Sequence, residues 1–399
     1  MIKTTPFHDR LAELNETQLW GHWSGYLSAQ RYYTSAKHEY FAIRNSAGFF
    51  DTSPLYKYRV AGKDAERLLA GVMTRDIRQC RPGKAQYTIW CDDRGFVLED
   101  GVVFRDSENE FLLTSAEPQV GYLSDLAGRL DVAIEDVTDA YGMLAVQGPR
   151  SREILSKVTK DIDKLGFFDL TETKIGSAAV TVSRTGYTGD LGFEVRVSRD
   201  DALSVLDALR EAGEGIGFRP FGEQALLMAR IEAGLALINV EFSSSRYAYT
   251  DHDRVTPKEL GFGWMLKGID DENRPFIGRN AIRRELAEKT SRWATVGLFL
   301  DWTDYDRVYS EAGLIPPKDE AAIEDEYMLY DDDGERIGYT TSQMYSPMMQ
   351  RHIAIGRVRP DLAKLGTRVN YELTINHQYQ TVAAEVTRLP FFNPPRKTA

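Results

Sequence analysis

Two periods of apolar and polar residues run through this chain, and the places where one gives way to the other mark out its elements. A two-residue alternation predicts strands at Tyr56 to Val60, Ala85 to Cys91, Phe96 to Phe104, Glu110 to Ser115, Ala179 to Ser183 and Phe193 to Val197, with a buried strand at Tyr141 to Val146. Helical spacing predicts helices over His8 to Gly21, Ser35 to Ala47, Asp64 to Met73, Gln119 to Arg129, Asp200 to Ala212 and Gly222 to Ala233, and another after Gln147-Gly148-Pro149 through Leu155. Asp92-Asp93-Arg94-Gly95 closes a hairpin whose return strand carries the adjacent acids Glu99 and Asp100. From about Arg292 the pattern changes to alternating strands: Ala294 to Phe299, Tyr327 to Tyr330, Gly338 to Thr341, Ile353 to Val358, Val369 to Leu373 and Val382 to Val386. The fold class expected is therefore α+β, ending in an all-β barrel or sandwich of roughly 100 residues.

One stretch departs from both periods. Arg184 to Val195 places Gly186, Gly189 and Gly192 three residues apart, where a tight turn or close approach to a ligand needs a residue without Cβ. Strands flank it on both sides, and Glu194 stands at the mouth of the second, with Phe193 and Val195 on the opposite face. Taken alone, a glutamate in a strand is the wet side of a sheet.

Composition narrows the function. A chain of 399 residues predicts about two to four domains. The net charge of −11 opposes general affinity for nucleic acid, and the basic cluster Arg279, Arg283, Arg284 is interleaved with acids as on a solvated helix face. No apolar run reaches membrane-spanning length, and Met1 to Pro6 lacks the apolar core of a signal peptide, so a cytoplasmic protein with no membrane partner is expected. Cys80 and Cys91 cannot build a metal cage, and a reducing cytosol disfavours a disulfide between them. The six histidines fall in no metal-ligand spacing, and the nucleophile elbow, phosphate loop and Cys-x-x-Cys motifs are missing. Gly213 to Gly217 follows a helix and lacks the dinucleotide-binding spacing. No metal site is expected. What remains is a set of acids, arginines and aromatics suited to holding a cofactor that carries the hard chemistry. The aromatic-rich opening segment, with Trp20, Trp23, Tyr26, Tyr32 and Tyr33, must be buried in a core or a ligand cleft.

Eight blocks, in order, resemble the glycine cleavage system T-protein family of tetrahydrofolate-dependent aminomethyltransferases. They are Ala47 to Ser53, Ala145 to Pro149, Arg184 to Val195, Arg230 to Gly234, Gly261 to Trp264, Phe276 to Arg279, Tyr345 to Pro347 and Leu389 to Phe392. The resemblance implies a three-domain cloverleaf: residues 1–52 with 138–241 as the folate-binding unit, 53–137 with 242–285 as a second, and 286–399 as the β domain. It implies tetrahydrofolate as cofactor. Glu194 would accept the paired ring N–H and exocyclic amine of the pterin, while Tyr87, Tyr187 and Trp264 offer aromatic faces. Arg230 would contact a carbonyl or carboxylate of the ligand. Ser115 falls where the family has an asparagine pair, and Asp100 would be the catalytic residue near the reactive nitrogens, acting electrostatically or by handling a proton.

The family's Ser-His-Met on the donor side reads Ser53-Pro54-Leu55-Tyr56 here, and two insertions, Ser243 to Arg254 and Trp302 to Asp325, alter the periphery. The folate half of the site is kept and the donor half rewritten. The reading favoured is a methyl transferase or demethylase that passes a methyl group from a small donor to tetrahydrofolate. A glycine-cleavage aminomethyltransferase with a lipoyl carrier protein as partner is the second reading. A non-enzymatic folate-binding module is the third, weakened by the absence of that group's cysteine motif.

Overall fold

A computed structural model describes residues 2–318 and 321–399. Two sheets and a barrel form its frame. The first sheet runs Leu170–Ile175, Ala178–Ser183, Gly192–Ser198, Tyr141–Gln147, Gly48–Asp51, Arg219–Pro220, antiparallel except for the last pair. Its alternation buries Phe193, Val195, Val197, Leu144 and Val146 on one face, against Ile154, Leu155, Val205, Leu206 and Leu209 of the helices Ser151–Val158 and Ala202–Ala212.

The second sheet runs Lys84–Cys91, Val97–Ser107, Glu110–Ser115, Tyr56–Ala61, Ala133–Asp136. One face carries Tyr58, Val60, Trp90, Val103, Phe111 and Leu113 onto the helix Ala65–Val72 and onto Leu123. The other turns toward the first sheet, where Ala85, Phe104 and Leu112 pack on Met143 and Arg196 pairs with Asp106 at 2.8 Å.

The strands Ala294–Leu300, Arg351–Val358, Arg336–Ser346, Met328–Tyr330, Arg368–Ile375 and Gln378–Thr387 close into a six-stranded barrel, so the β domain is a barrel and not a sandwich. The helices Ala36–Asn45 and Glu223–Glu232 join the first sheet to it. Tyr40, Ile43, Ala225, Met228 and Ile231 share one cluster with Phe50 and Ala145 of the sheet and Met344, Ile353 and Ile355 of the barrel. Within that junction Arg44 and Glu232, both fully buried, pair at 2.7 Å.

The expected helix from His8 to Gly21 is a correction: it ends at Leu14. The Asn15 side chain accepts from the N–H groups of Thr17 (3.1 Å) and Gln18 (2.9 Å), a local turn that competes with helix continuation. Leu19–Trp23 then pairs with Tyr26–Arg31 through Ser24-Gly25, whose φ values of 48° and 89° suit a tight two-residue hairpin. The basic cluster Arg279, Arg283, Arg284 does lie on a helix, Arg279–Glu288. Both cysteines are free and buried. No helix among the described residues is long and apolar enough to cross a membrane.

Candidate functional site

Strand alternation decides which side chains face the cleft between the two sheets. In the second sheet Tyr87, Val102, Thr114 and Lys57 stand opposite one another across four strands, and Asp100 stands opposite Ile89. These residues share the face that carries Ala85, Phe104 and Leu112, so they turn toward the first sheet. In the first sheet Glu194 opposes Ala145 and Ser183, on the face of Met143 and Arg196. Asp100 and Glu194 therefore project into one cleft from opposite walls.

Ser115 is a correction. It opposes Gly101 and Tyr56, on the other face of its sheet, and its buried hydroxyl donates to the Glu117 carbonyl at 2.7 Å. Thr114, one residue earlier, is the side chain of that strand on the cleft face.

Asp100 is half-buried and accepts a hydrogen bond from the Tyr87 hydroxyl at 2.7 Å. Burial pushes its carboxyl above the ordinary value, and the Tyr87 hydrogen bond opposes that rise. Its neighbour Glu99 is fully buried and points to the opposite face, where it accepts from the N–H groups of Asp100 (3.0 Å) and Glu117 (2.9 Å). Burial, and then the charge of Asp100, drive Glu99 upward as well.

Glu194 is half-buried and accepts from the Thr185 hydroxyl. Burial raises its carboxyl too, but here the Thr185 hydrogen bond and the charge of Lys57 both work to lower it. Lys57 is fully buried, donates to the carbonyls of Ser53 (2.7 Å) and Leu55 (2.8 Å), and is lowered by burial to about 8.

Two of the three glycines share a structural partner. A Cβ on Gly186 would fall 2.0 Å from Oε1 of Gln147, and one on Gly192 would fall 2.2 Å from it. The Gln147 side chain fills that space, donating to the carbonyls of Thr185 (3.3 Å) and Phe193 (3.1 Å) and accepting from the Thr188 hydroxyl (2.9 Å). Gly189, at φ 75°, meets a backbone demand instead, and a Cβ there would fall 2.4 Å from the Ala233 Cβ. Gln147 thus staples the loop that carries Tyr187. The sequence placed it in a matching block without indicating this role.

The Tyr187 hydroxyl donates to the Ala236 carbonyl. Tyr87 meets Phe262 edge-on at 5.7 Å, and the half-exposed Trp264 lies over the Arg75 guanidinium at 5.1 Å, which itself donates to the Tyr87 carbonyl at 3.2 Å. A cavity of about 480 Å³ opens beside these residues, lined in part by Ala236, Glu241, Phe262 and Trp264, with the barrel strands behind it.

Arg230 sits differently from an open ligand contact. It is fully buried, with Nη1 on both Glu241 oxygens at 2.8 and 2.7 Å and Nη2 on Glu324 (3.0 Å) and Ser342 (2.9 Å). Two carboxylates occupy its fork, and Glu324 comes from the second insertion, so the side chain ties the helix to the barrel. Among the described residues no group of three or more His, Cys, Asp or Glu is placed to hold a metal ion.

Comparison with known proteins agrees with this architecture. Residues 7–268 match the GCVT N-terminal domain, and residues 312–393 match the glycine cleavage T-protein C-terminal barrel domain. An aminomethyltransferase of Bacillus velezensis is 31% identical over 405 residues, covering all of both chains. A trimethylamine-oxide aldolase of Ruegeria pomeroyi is 34% identical over 414 residues, and there the chain spans 48% of the relative's length. The crystal structure of glycine cleavage system aminomethyltransferase T from Bartonella henselae shares the fold, with a TM-score of 0.82, 23% identity, and coverage of 98% of this chain and 99% of that one. With one family model spanning the two sheets, a second spanning most of the barrel, and a relative similar from end to end, the chain belongs to the glycine cleavage T-protein family and is a one-carbon group transferase.

Proposed function

We propose that this enzyme passes a methyl group from a small methylated donor to tetrahydrofolate, held in the cleft between the two sheets. The observation that carries the reading is the pair of half-buried carboxylates on opposite walls, each steadied by a single hydroxyl: Glu194 by Thr185 and Asp100 by Tyr87. The donor set fits the cofactor. Beyond the Thr185 bond Glu194 keeps acceptor capacity for two adjacent N–H donors, the pattern a reduced pterin presents. Tetrahydrofolate supplies the nucleophilic nitrogen that receives the one-carbon unit. Asp100 orients the donor and stabilises positive charge as that unit moves, and the Tyr87 hydroxyl fixes the carboxylate in place. Tyr187 and Trp264 supply aromatic surface. In the same reading the chain divides into 1–52 with 138–241, 53–137 with 242–285, and 286–399.

The donor side supports a departure from glycine cleavage. Ser53 to Leu55 is locked by Lys57 on two carbonyls and by Asp51, which accepts from the Ser53 N–H at 2.9 Å, and no histidine stands there. The aminomethyltransferase relatives support the alternative, in which a lipoyl carrier protein delivers an aminomethyl group. One experiment separates the two. Methylated amines, sulfonium compounds and aryl methyl ethers are screened for tetrahydrofolate-dependent loss, with methyl- and methylenetetrahydrofolate quantified, beside an aminomethyl-loaded lipoyl carrier assayed for ammonia. Methyltetrahydrofolate from a small donor is expected, and ammonia from the carrier alone would reverse the order of the two readings.

A further inference from the structure

The loop that carries Tyr187 and leads into Glu194 is gripped from outside by a distant part of the chain. Arg184, 3% exposed, donates to the carbonyls of Leu165 (3.1 Å), Arg396 (3.2 Å), Lys397 (3.2 Å) and Ala399 (2.6 Å). At the other end of the loop the Asp190 side chain, fully buried, accepts both fork nitrogens of Arg396, at 2.6 and 2.8 Å, as well as the Leu191 N–H at 2.7 Å. Between them the Thr188 carbonyl accepts from Arg44 at 2.8 Å. The Arg44 guanidinium lies 4.3 Å over the Phe392 ring, and the Phe392 N–H donates to the Glu232 carbonyl at 2.8 Å. Residues 392–399 thus cross the back of the loop and fasten it at both ends.

We propose that Arg396 is a positioning residue for the cofactor site: its ion pair with Asp190 closes this segment over the glycine loop and holds Tyr187 and Glu194 in place for tetrahydrofolate. The inference rests on the folate reading above. A buried carboxylate that loses its cationic partner must take up a proton or draw its backbone toward water. Three glycines give the loop little side-chain packing with which to resist. Arg396 is itself 42% exposed in its side chain, so it can be replaced without opening a core.

The test measures the equilibrium Kd for tetrahydrofolate by calorimetry, and amide exchange over residues 185–191, in wild type, Arg396→Ala and Arg396→Lys. Arg396→Ala is expected to weaken binding tenfold or more and to speed exchange in the loop, with exchange in the helix Ser151–Val158 unchanged. Arg396→Lys, which keeps the charge without the fork, is expected to recover most of the affinity while remaining about threefold weaker than wild type. Wild-type Kd and wild-type loop exchange in Arg396→Ala would overturn the proposal. Should the alanine variant not fold, the same two readings unchanged in Arg396→Lys would overturn it. A wild type that fails to bind tetrahydrofolate removes the folate reading instead, and loop exchange in the variants then judges the clasp by itself.

Discussion

Glu194 and Asp100 face each other across one cleft, both half-buried, both on strands and both receiving a hydroxyl hydrogen bond, yet their surroundings push them toward different work. Around Glu194 the neighbouring charge is the buried ammonium of Lys57, which favours the carboxylate. Next to Asp100 in sequence stands the second carboxyl of Glu99, and two buried acids so close together cannot both ionise cheaply. One wall therefore holds a carboxylate whose ionised form a neighbouring ammonium favours, and on the other Asp100 stands with the carboxyl of Glu99 buried behind it on the opposite face of the strand. Similar residue types acquire different electrostatic settings from the charges packed around them.

Removing the Asp100 carboxyl has the largest expected effect. Asp100→Asn should lower the rate of methyl transfer on the order of 100-fold or more, with tetrahydrofolate affinity held within about threefold; single-turnover rates at saturating cofactor, set beside calorimetric Kd values, check this. On the opposite wall the prediction concerns stability. Gly186→Ala drives a methyl group into Gln147 and should cost about 1–3 kcal/mol, read from denaturant midpoints. Gly121→Ala, in the helix Val120–Ala127 with open space around its Cβ, should be neutral or slightly stabilising in the same measurement.

A smaller effect probes the titration directly. The Tyr87 hydroxyl holds the Asp100 carboxyl down, so Tyr87→Phe should raise it. If the ionised form is the active one, a larger fraction is then protonated at each pH, and the acid limb of the pH–rate profile should move to higher pH. The smallest effect is on the pH dependence of stability. Glu99 is raised in the folded state, so the native protein keeps a proton that the unfolded chain releases. The stabilisation this gives is complete below the ordinary glutamate value and is lost as pH rises through the folded one. Glu99→Gln should flatten that decline in melting temperature.

Much of the frame was legible in the sequence, because its alternation is regular: the strands at Tyr56, Lys84, Glu110, Tyr141 and Ala178 begin within a residue of where the pattern starts. The opening segment was not. Its helical spacing continued past Leu14, while the Asn15 turn that stops the helix is a local side-chain event with no hydrophobic signature. The pair Ser24-Gly25 was the available sign of a hairpin. At the site, alternation and family resemblance together singled out Glu194, Asp100 and Tyr87, whose strand registers turn them toward the cleft. They also singled out Ser115, which stands on the other face of its strand, one residue from Thr114. They also left Arg230 open to a ligand, because the partner Glu324 lies 94 residues away in an insertion whose packing leaves no periodic trace. Gln147 and the Asp190–Arg396 pair were illegible for the same reason: each acts through a contact between distant segments.

The central claim, that Glu194 holds the cofactor while Asp100 serves the reaction, comes down to one titration. Tetrahydrofolate is titrated calorimetrically into wild type, Glu194→Ala and Asp100→Asn. Losing charge-assisted hydrogen bonds at Glu194 should weaken binding by roughly 1.5–3 kcal/mol, on the order of 10- to 100-fold in Kd, with Asp100→Asn close to wild type. A Glu194→Ala protein that binds tetrahydrofolate as tightly as wild type would contradict the account.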